Sequence, residues 1–226
     1  MGYCMYLRKG ETHTEPVGDI TASELAVGST VKLNVNGTTT DFLVVHQGKP
    51  SSLYDDSCDG TWLLMKDLYE NHVWNSRNTN AYGESSVNAR LNTIFNMLDA
   101  DIKNIVKRVT VPIDSSETVT TNMFLLGGCE VGLQNENSRF PVDGSKLDYF
   151  DSGVTTTANN KRVAKLNGKS ADWWMHSAVE SSLYAWVIYS NGNYYNSKVT
   201  ASYGIRPALI LPSDAKFDKD TLTLKG

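Results

Sequence analysis

The segment from Trp173 to Leu211 constrains the fold most. It opens on Trp173-Trp174 and closes on Gly204-Ile205-Arg206-Pro207-Ala208-Leu209-Ile210-Leu211. Between these ends, Ala185 to Tyr189 and Tyr194 to Val199 flank Ser190-Asn191-Gly192-Asn193. Aromatic and β-branched residues suit a pleated strand, and Asn-Gly between two such runs is a hairpin turn signal. The chain is therefore expected to build a sheet here, with a final strand over Ile205 to Leu211. From Ser181 to Tyr203, 13 of 23 residues are Tyr, Ser or Asn, and Lys198 alone is charged, in a chain that is 20% charged. Rigid amphipathic rings among small polar groups are the makeup of antibody-like binding loops. The competing reading is a solvated hairpin with ordinary tyrosine enrichment, since Tyr favours strands.

The rest of the chain reads as a mixture. Val31, Leu33 and Val35 alternate with polar residues, Asn36-Gly37 marks a turn, and Phe42-Leu43-Val44-Val45 follows, which predicts a β-hairpin. Trp62-Leu63-Leu64-Met65 and Met123-Phe124-Leu125-Leu126 read as buried strands, and Val109 to Pro112 as another. Val87, Leu91, Ile94, Phe95 and Leu98 share one face of a helix, which Ser85 or Ser86 can cap. A second short helix fits Asp99 to Lys107. Residues 134–172 are polar and are expected to form long surface loops around one short helical turn. Leu222 and Leu224 are candidates for a last short strand. The fold class is α+β: a mixed, mostly antiparallel sheet with two helices and long loops. Residues 1–22 read as an extended lead-in or linker, and 23–226 as one domain.

Chemistry is hard to find. The net charge is -4 with no run of basic residues, so no nucleic-acid footprint is expected. No apolar run approaches about 18 residues, so no membrane span is expected. The first nine residues lack the apolar core of a secretory leader, so export by that route is not expected from this sequence. Cys4, Cys58 and Cys129 have no metal-binding spacing. They read as reduced, partly buried thiols, with a Cys58–Cys129 bridge as the alternative. Asp55 to Gly60 starts like a calcium loop, but Lys66 stands where the bidentate Glu is needed. Neither a metal nor a cofactor is expected. No nucleophile elbow or phosphate loop is present. His46 reads as structural. A Cys129–His46 pair is left as the route to an unrecognised enzyme. Asp143, Asp148 and Asp151 read as solvated loop charges. The five tryptophans read as core.

Several stretches together resemble a known family. They are Asp41 to Gly48 with Pro50-Ser51-Ser52, Gly60 to Asp67, Asn88 to Asn92 ahead of Phe95, Lys161 to Gly168, Trp173-Trp174, and Tyr203-Gly204-Ile205-Arg206-Pro207-Ala208-Leu209. The set resembles DUF6273, an uncharacterised family of gut Firmicutes and their phages, over residues 25 to 212. The resemblance implies a C-type-lectin-like fold and a likeness to variable proteins of diversity-generating retroelements. In those systems adenines of a template copy are rewritten, and Asn, Tyr and Ser codons are related by changes at adenines. Related sequences carry Leu-Arg-Ser-Pro after the Trp pair, whereas this chain has Met175-His176-Ser177-Ala178. If that Arg ties the following loop down, the tie is missing from this chain. Calcium-lectin motifs and the cysteine pair of formylglycine generation are also absent.

The expected function is non-enzymatic recognition of a protein or glycan on another cell or virion. Trp173, Trp174, Trp186, Gly204, Arg206 and Pro207 would form the framework, and a variable region would span about 175–203. Its ligand-binding residues are expected to be His176, Glu180, Ser182, Tyr184, Tyr189, Asn193, Tyr194, Tyr195, Asn196, Lys198, Thr200 and Tyr203. A virion or cell-surface location follows from that reading. The alternatives are a carbohydrate-binding module of fixed specificity and an enzyme with an unrecognised site.

Overall fold

The computed structural model describes residues 18–134 and 140–225. Two main sheets share one hydrophobic core. The four-stranded sheet runs in the order Ala208–Leu211, Thr61–Met65, Thr38–Gln47, Thr30–Val35, antiparallel throughout. Its first hairpin turns at Asn36 and Gly37, with φ of 52° and 70°. Two consecutive positive φ values give the turn whose twist matches the flanking strands. Thr61–Met65 is buried at every residue and lies between two partner strands, which explains its unbroken apolar sequence.

The five-stranded sheet runs Tyr194–Lys198, Tyr184–Ile188, Trp173–Ala178, Ser202–Ile205, Glu70–Val73. The pairing of Trp173 with Gly204 is parallel and the rest are antiparallel. The strand expected over Ile205 to Leu211 is in fact two strands in different sheets. Ile205 pairs with Glu70 in one, and Ala208 pairs with Leu64 in the other. Pro207 has no N–H to donate, so a ladder cannot run through it. Arg206, buried at the crossing, donates to the Met65 and Lys66 carbonyls, each at 2.9 Å, and to the Arg162 carbonyl at 3.4 Å. One side chain thereby ties the two sheets together.

Three α-helices are present among the described residues, one more than expected: Ser86–Asn96, Ala100–Ile105 and Thr156–Arg162. Ser85 caps the first by accepting from the Asn88 amide at 3.1 Å. Thr155 caps the third. Only Ala158 and Arg162 of that helix are buried, so no apolar stripe announced it as more than a turn. The surrounding polar stretch is also not all surface, since Phe140, Leu147 and Phe150 enter the core.

Three further expectations are corrected. Met123–Leu126 is fully buried but forms an isolated bridge, Phe124 with Ala208, rather than a strand. Its polar groups go elsewhere: Leu125 N donates to the Tyr82 hydroxyl at 3.0 Å, and the Leu126 carbonyl accepts from His176 N at 3.1 Å. The lead-in also ends earlier than residue 22, because Asp19–Thr21 pairs with Lys216–Asp218. Residues 1–17 of it lie outside the described residues. The short strand expected at Leu222 and Leu224 is likewise reduced to isolated bridges, Thr223 with Lys32 and Leu224 with Phe217. No helix among the described residues is long and apolar enough to cross a membrane.

Candidate functional site

The Tyr/Ser/Asn segment folds as the outer hairpin of the five-stranded sheet. Tyr184, Ala185, Trp186, Val187 and Ile188 face Lys198, Ser197, Asn196, Tyr195 and Tyr194 across the ladder. The turn places Gly192 at φ 80°. Because side chains alternate along a strand, Tyr194 and Tyr195 point to opposite faces. The candidate residues therefore form two surfaces rather than one.

On one face, Tyr189 and Tyr195 stack at 3.8 Å with 8° between planes, and Tyr203 meets Tyr195 edge-on at 5.9 Å. Tyr203 in turn packs edge-on to buried Trp174 at 4.9 Å. The Tyr195 hydroxyl donates to Asp172 Oδ2 at 3.2 Å, and Ser197 Oγ donates to the Tyr203 hydroxyl at 3.2 Å. Partial burial, Tyr203 and the Asp172 carboxylate push the Tyr195 phenol far above its ordinary value, so it stays a neutral donor. On the other face, Tyr194 packs against Trp186 at 5.7 Å and Phe140 at 5.2 Å, and Phe140 stacks on Trp186 at 4.3 Å.

The hairpin is held from beneath. Buried Arg162 donates from Nε to the Gly192 carbonyl at 2.8 Å and from Nη1 to the Val131 carbonyl at 3.0 Å. Asp172 accepts from Ser190 N at 2.7 Å. Asn80 anchors the loop before the hairpin. Its side-chain amide donates to the carbonyls of Val179 (2.7 Å), Ser181 (3.1 Å) and Tyr184 (2.8 Å). Sequence reasoning missed Asn80 because it lies about a hundred positions away, in a loop with no pattern of its own.

Exposure separates by residue type. Each of the 13 Tyr, Ser and Asn residues between Ser181 and Tyr203 is exposed or half-exposed. The buried positions of the same window are Ala185, Trp186, Val187, Ile188, Gly192 and Val199. Glu180, Ser182, Tyr189, Asn196, Lys198 and Thr200 are exposed; Tyr184, Asn193, Tyr194, Tyr195 and Tyr203 are half-exposed.

His176 is the exception among the expected ligand-binding residues. It is fully buried and does not reach the surface. Its Nε2 lies 3.7 Å from Glu130 Oε2, beside a polar cluster that was not legible in the sequence. Glu130 accepts from the Tyr54 hydroxyl and the Gly127 amide, each at 2.8 Å. Asp143 accepts from the amides of Gly128 (3.1 Å) and Cys129 (3.0 Å) and from the Ser177 hydroxyl. Asp143 is thus a core residue, not a solvated loop charge. Burial alone would lower the His176 pKa, but the Glu130 and Asp143 carboxylates outweigh it and hold the imidazole above its ordinary value.

The remaining chemical candidates take structural places. Cys58 and Cys129 are buried and unpaired. Burial pushes the Cys58 thiol up to about 12 and the Cys129 thiol higher still, with Asp143 adding to the latter, which is the opposite of an activated nucleophile. His46 Nδ1 lies 2.9 Å from Asp148 Oδ2. Asp55 caps a short helical turn by accepting from Ser57 N at 2.8 Å. No group of metal-ligating side chains is found among the described residues.

A family model described as a domain of unknown function, DUF6273, matches residues 59–213. No curated protein and no solved structure matches the chain.

Proposed function

The chain belongs to the DUF6273 family, and on that premise we propose that it is a non-enzymatic recognition protein whose binding surface is the outer hairpin. The observation that carries this reading is the separation by residue type. Tyr, Ser and Asn between Ser181 and Tyr203 occupy exposed or half-exposed positions, while the fully buried positions of that window are held by other residue types; Tyr194, Tyr195 and Tyr203 also lean on the core with one side of their rings. Substitution at the Ser and Asn positions and at Tyr189 would change a surface and leave the packing beneath intact, whereas Tyr194, Tyr195 and Tyr203 are partly built into that packing. That is the requirement of a surface diversified by a retroelement, on a fold we read as C-type-lectin-like. Tyrosines supply contact area at low entropic cost, and Ser and Asn supply adaptable hydrogen bonds. The partner is a protein or glycan on another cell or virion.

The DNA around the gene tests the diversification. An imperfect repeat of the 173–206 coding region, beside a reverse transcriptase and differing at adenines, is the expected finding. A flanking region without such a repeat removes diversification from the reading. A fixed-specificity carbohydrate-binding module is the second reading. It draws on the Tyr189–Tyr195 stack and Tyr203, which offer ring faces to a sugar. Glycan-array binding that survives chelation and is lost in Tyr195→Ala favours it over protein recognition.

A further inference from the structure

A second candidate site lies where the chain changes sheets. A cleft of about 390 Å³ opens there, lined among others by Lys66, Asp67, Tyr149, Lys165 and Arg206. Its volume falls within the range of small-molecule sites, about 300–1,000 Å³. Three cations meet one carboxylate in this cleft, in a chain whose net charge is -4.

The charges are unequally satisfied. Asp67 Oδ1 already accepts from the Lys165 amide at 3.1 Å. Lys66 reaches Asp41 at 3.4 Å, with both side chains about half exposed, a weak pair in water. Lys165 Nζ and Arg206 make no ion pair among the described residues. Arg206 is 1% exposed, and its hydrogen bonds go to the carbonyls of Met65, Lys66 and Arg162. A guanidinium carries five N–H donors, more than these three carbonyls engage. The Arg206 charge is offset in part by the Asp67 carboxylate of the same cleft and by the Trp173 ring, 5.3 Å from the guanidinium carbon, and Asp67 is shared with two lysines. Burial brings the Arg206 pKa down to about 10, so it is still protonated at neutral pH.

We propose that this cleft binds a small oxyanion, a phosphate monoester or a sugar carboxylate, with Lys66 and Lys165 at its mouth and Arg206 at its floor. The oxyanion adds a second negative charge beside Asp67 where three cations converge, and accepts the remaining N–H donors in the charge-assisted geometry that guanidinium favours. Asp67 stays engaged with the Lys165 amide and orients that hairpin. The site is separate from the outer hairpin, and it stands or falls independently of the recognition reading.

Glucose 6-phosphate, glucuronate and glucose are the probes, with binding followed by amide chemical shifts and by the thermal midpoint at low salt. A charged probe is expected to move the resonances of residues 66, 165 and 206 saturably, whereas glucose does not. Whichever charged sugar binds identifies the oxyanion. Lys165→Ala should weaken that binding by about tenfold and Lys165→Glu more, while Lys32→Ala, which removes the same charge elsewhere, leaves it unchanged. Lys165 is exposed on a short hairpin, so these variants keep the fold. Equal responses to charged and neutral sugars, no response to any probe, or binding indifferent to Lys165→Glu would each overturn the proposal.

Discussion

Arg162 donates from Nε to the Gly192 carbonyl at 2.8 Å, and this bond fastens the tip of the Tyr/Ser/Asn hairpin to the helix Thr156–Arg162. Gly192 can sit that close because it has no side chain. A Cβ there would lie 1.9 Å from the Asn159 carbonyl oxygen, and its φ is 80°. Gly192→Ala should therefore cost about 3 kcal/mol or more, from overlap and left-handed strain together. Gly37→Ala is the matched control: φ is 70° but nothing lies within 4 Å, so about 1–2 kcal/mol is expected. Denaturant midpoints of the two variants check the difference.

Asn80→Ala should free the loop before the hairpin. The Val179, Ser181 and Tyr184 carbonyls lose the Asn80 amide, with Ser181 and Tyr184 keeping one backbone donor each, which corresponds to about 1–2 kcal/mol of stability. Hydrogen exchange should quicken at Val179 and Tyr184, whose amides donate within that loop. Unchanged exchange there would remove Asn80 as the anchor.

The two faces of the hairpin predict different mutant behaviour. Exposed Tyr189 should tolerate replacement by Ala with the thermal midpoint near wild type, while partner capture weakens by about tenfold or more. Tyr194→Ala removes contacts to Trp186 and Phe140 and should lower stability by about 1 kcal/mol. Paired melting and binding curves separate the two outcomes.

His176 should give the fold an alkaline limb. Its folded pKa stands above the ordinary 6.5, so the stability it contributes is fully present below that value and is lost as pH rises through the folded pKa. The groups facing it are Glu130 at 3.7 Å, Asp143 and the Tyr82 ring at 5.6 Å. His176→Gln should flatten the fall in stability between neutral and mildly alkaline pH, whatever its effect on the absolute level. An unchanged slope would assign that limb to another group.

Cys58 and Cys129 should resist iodoacetamide in the native protein and react once it is denatured. Both thiols are buried with pKa values pushed up, so the reactive thiolate is scarce and shielded. Rapid native labelling of Cys129 would instead favour the enzyme reading.

The sequence by itself determined the local elements that carry their own pattern. The Asn36-Gly37 and Asn191-Gly192 turns, the apolar run at Trp62 and the stripe from Val87 to Phe95 each encode their structure within a few residues, because turn chemistry and periodicity are local; Leu98, on the same stripe, lies past the helix end and bridges Val35. It also marked which residues of the hairpin window are polar, and those are the ones left at the surface. Tertiary structure alone decided what lies far apart in the chain. It split Ile205–Leu211 between two sheets at Pro207, turned Tyr194 and Tyr195 to opposite faces, placed Asn80 under the loop, and buried His176, Glu130 and Asp143 together. These depend on long-range contacts, in which a polar residue becomes core once distant amides and hydroxyls satisfy it, and no pattern near Asp143 or His176 announces such partners.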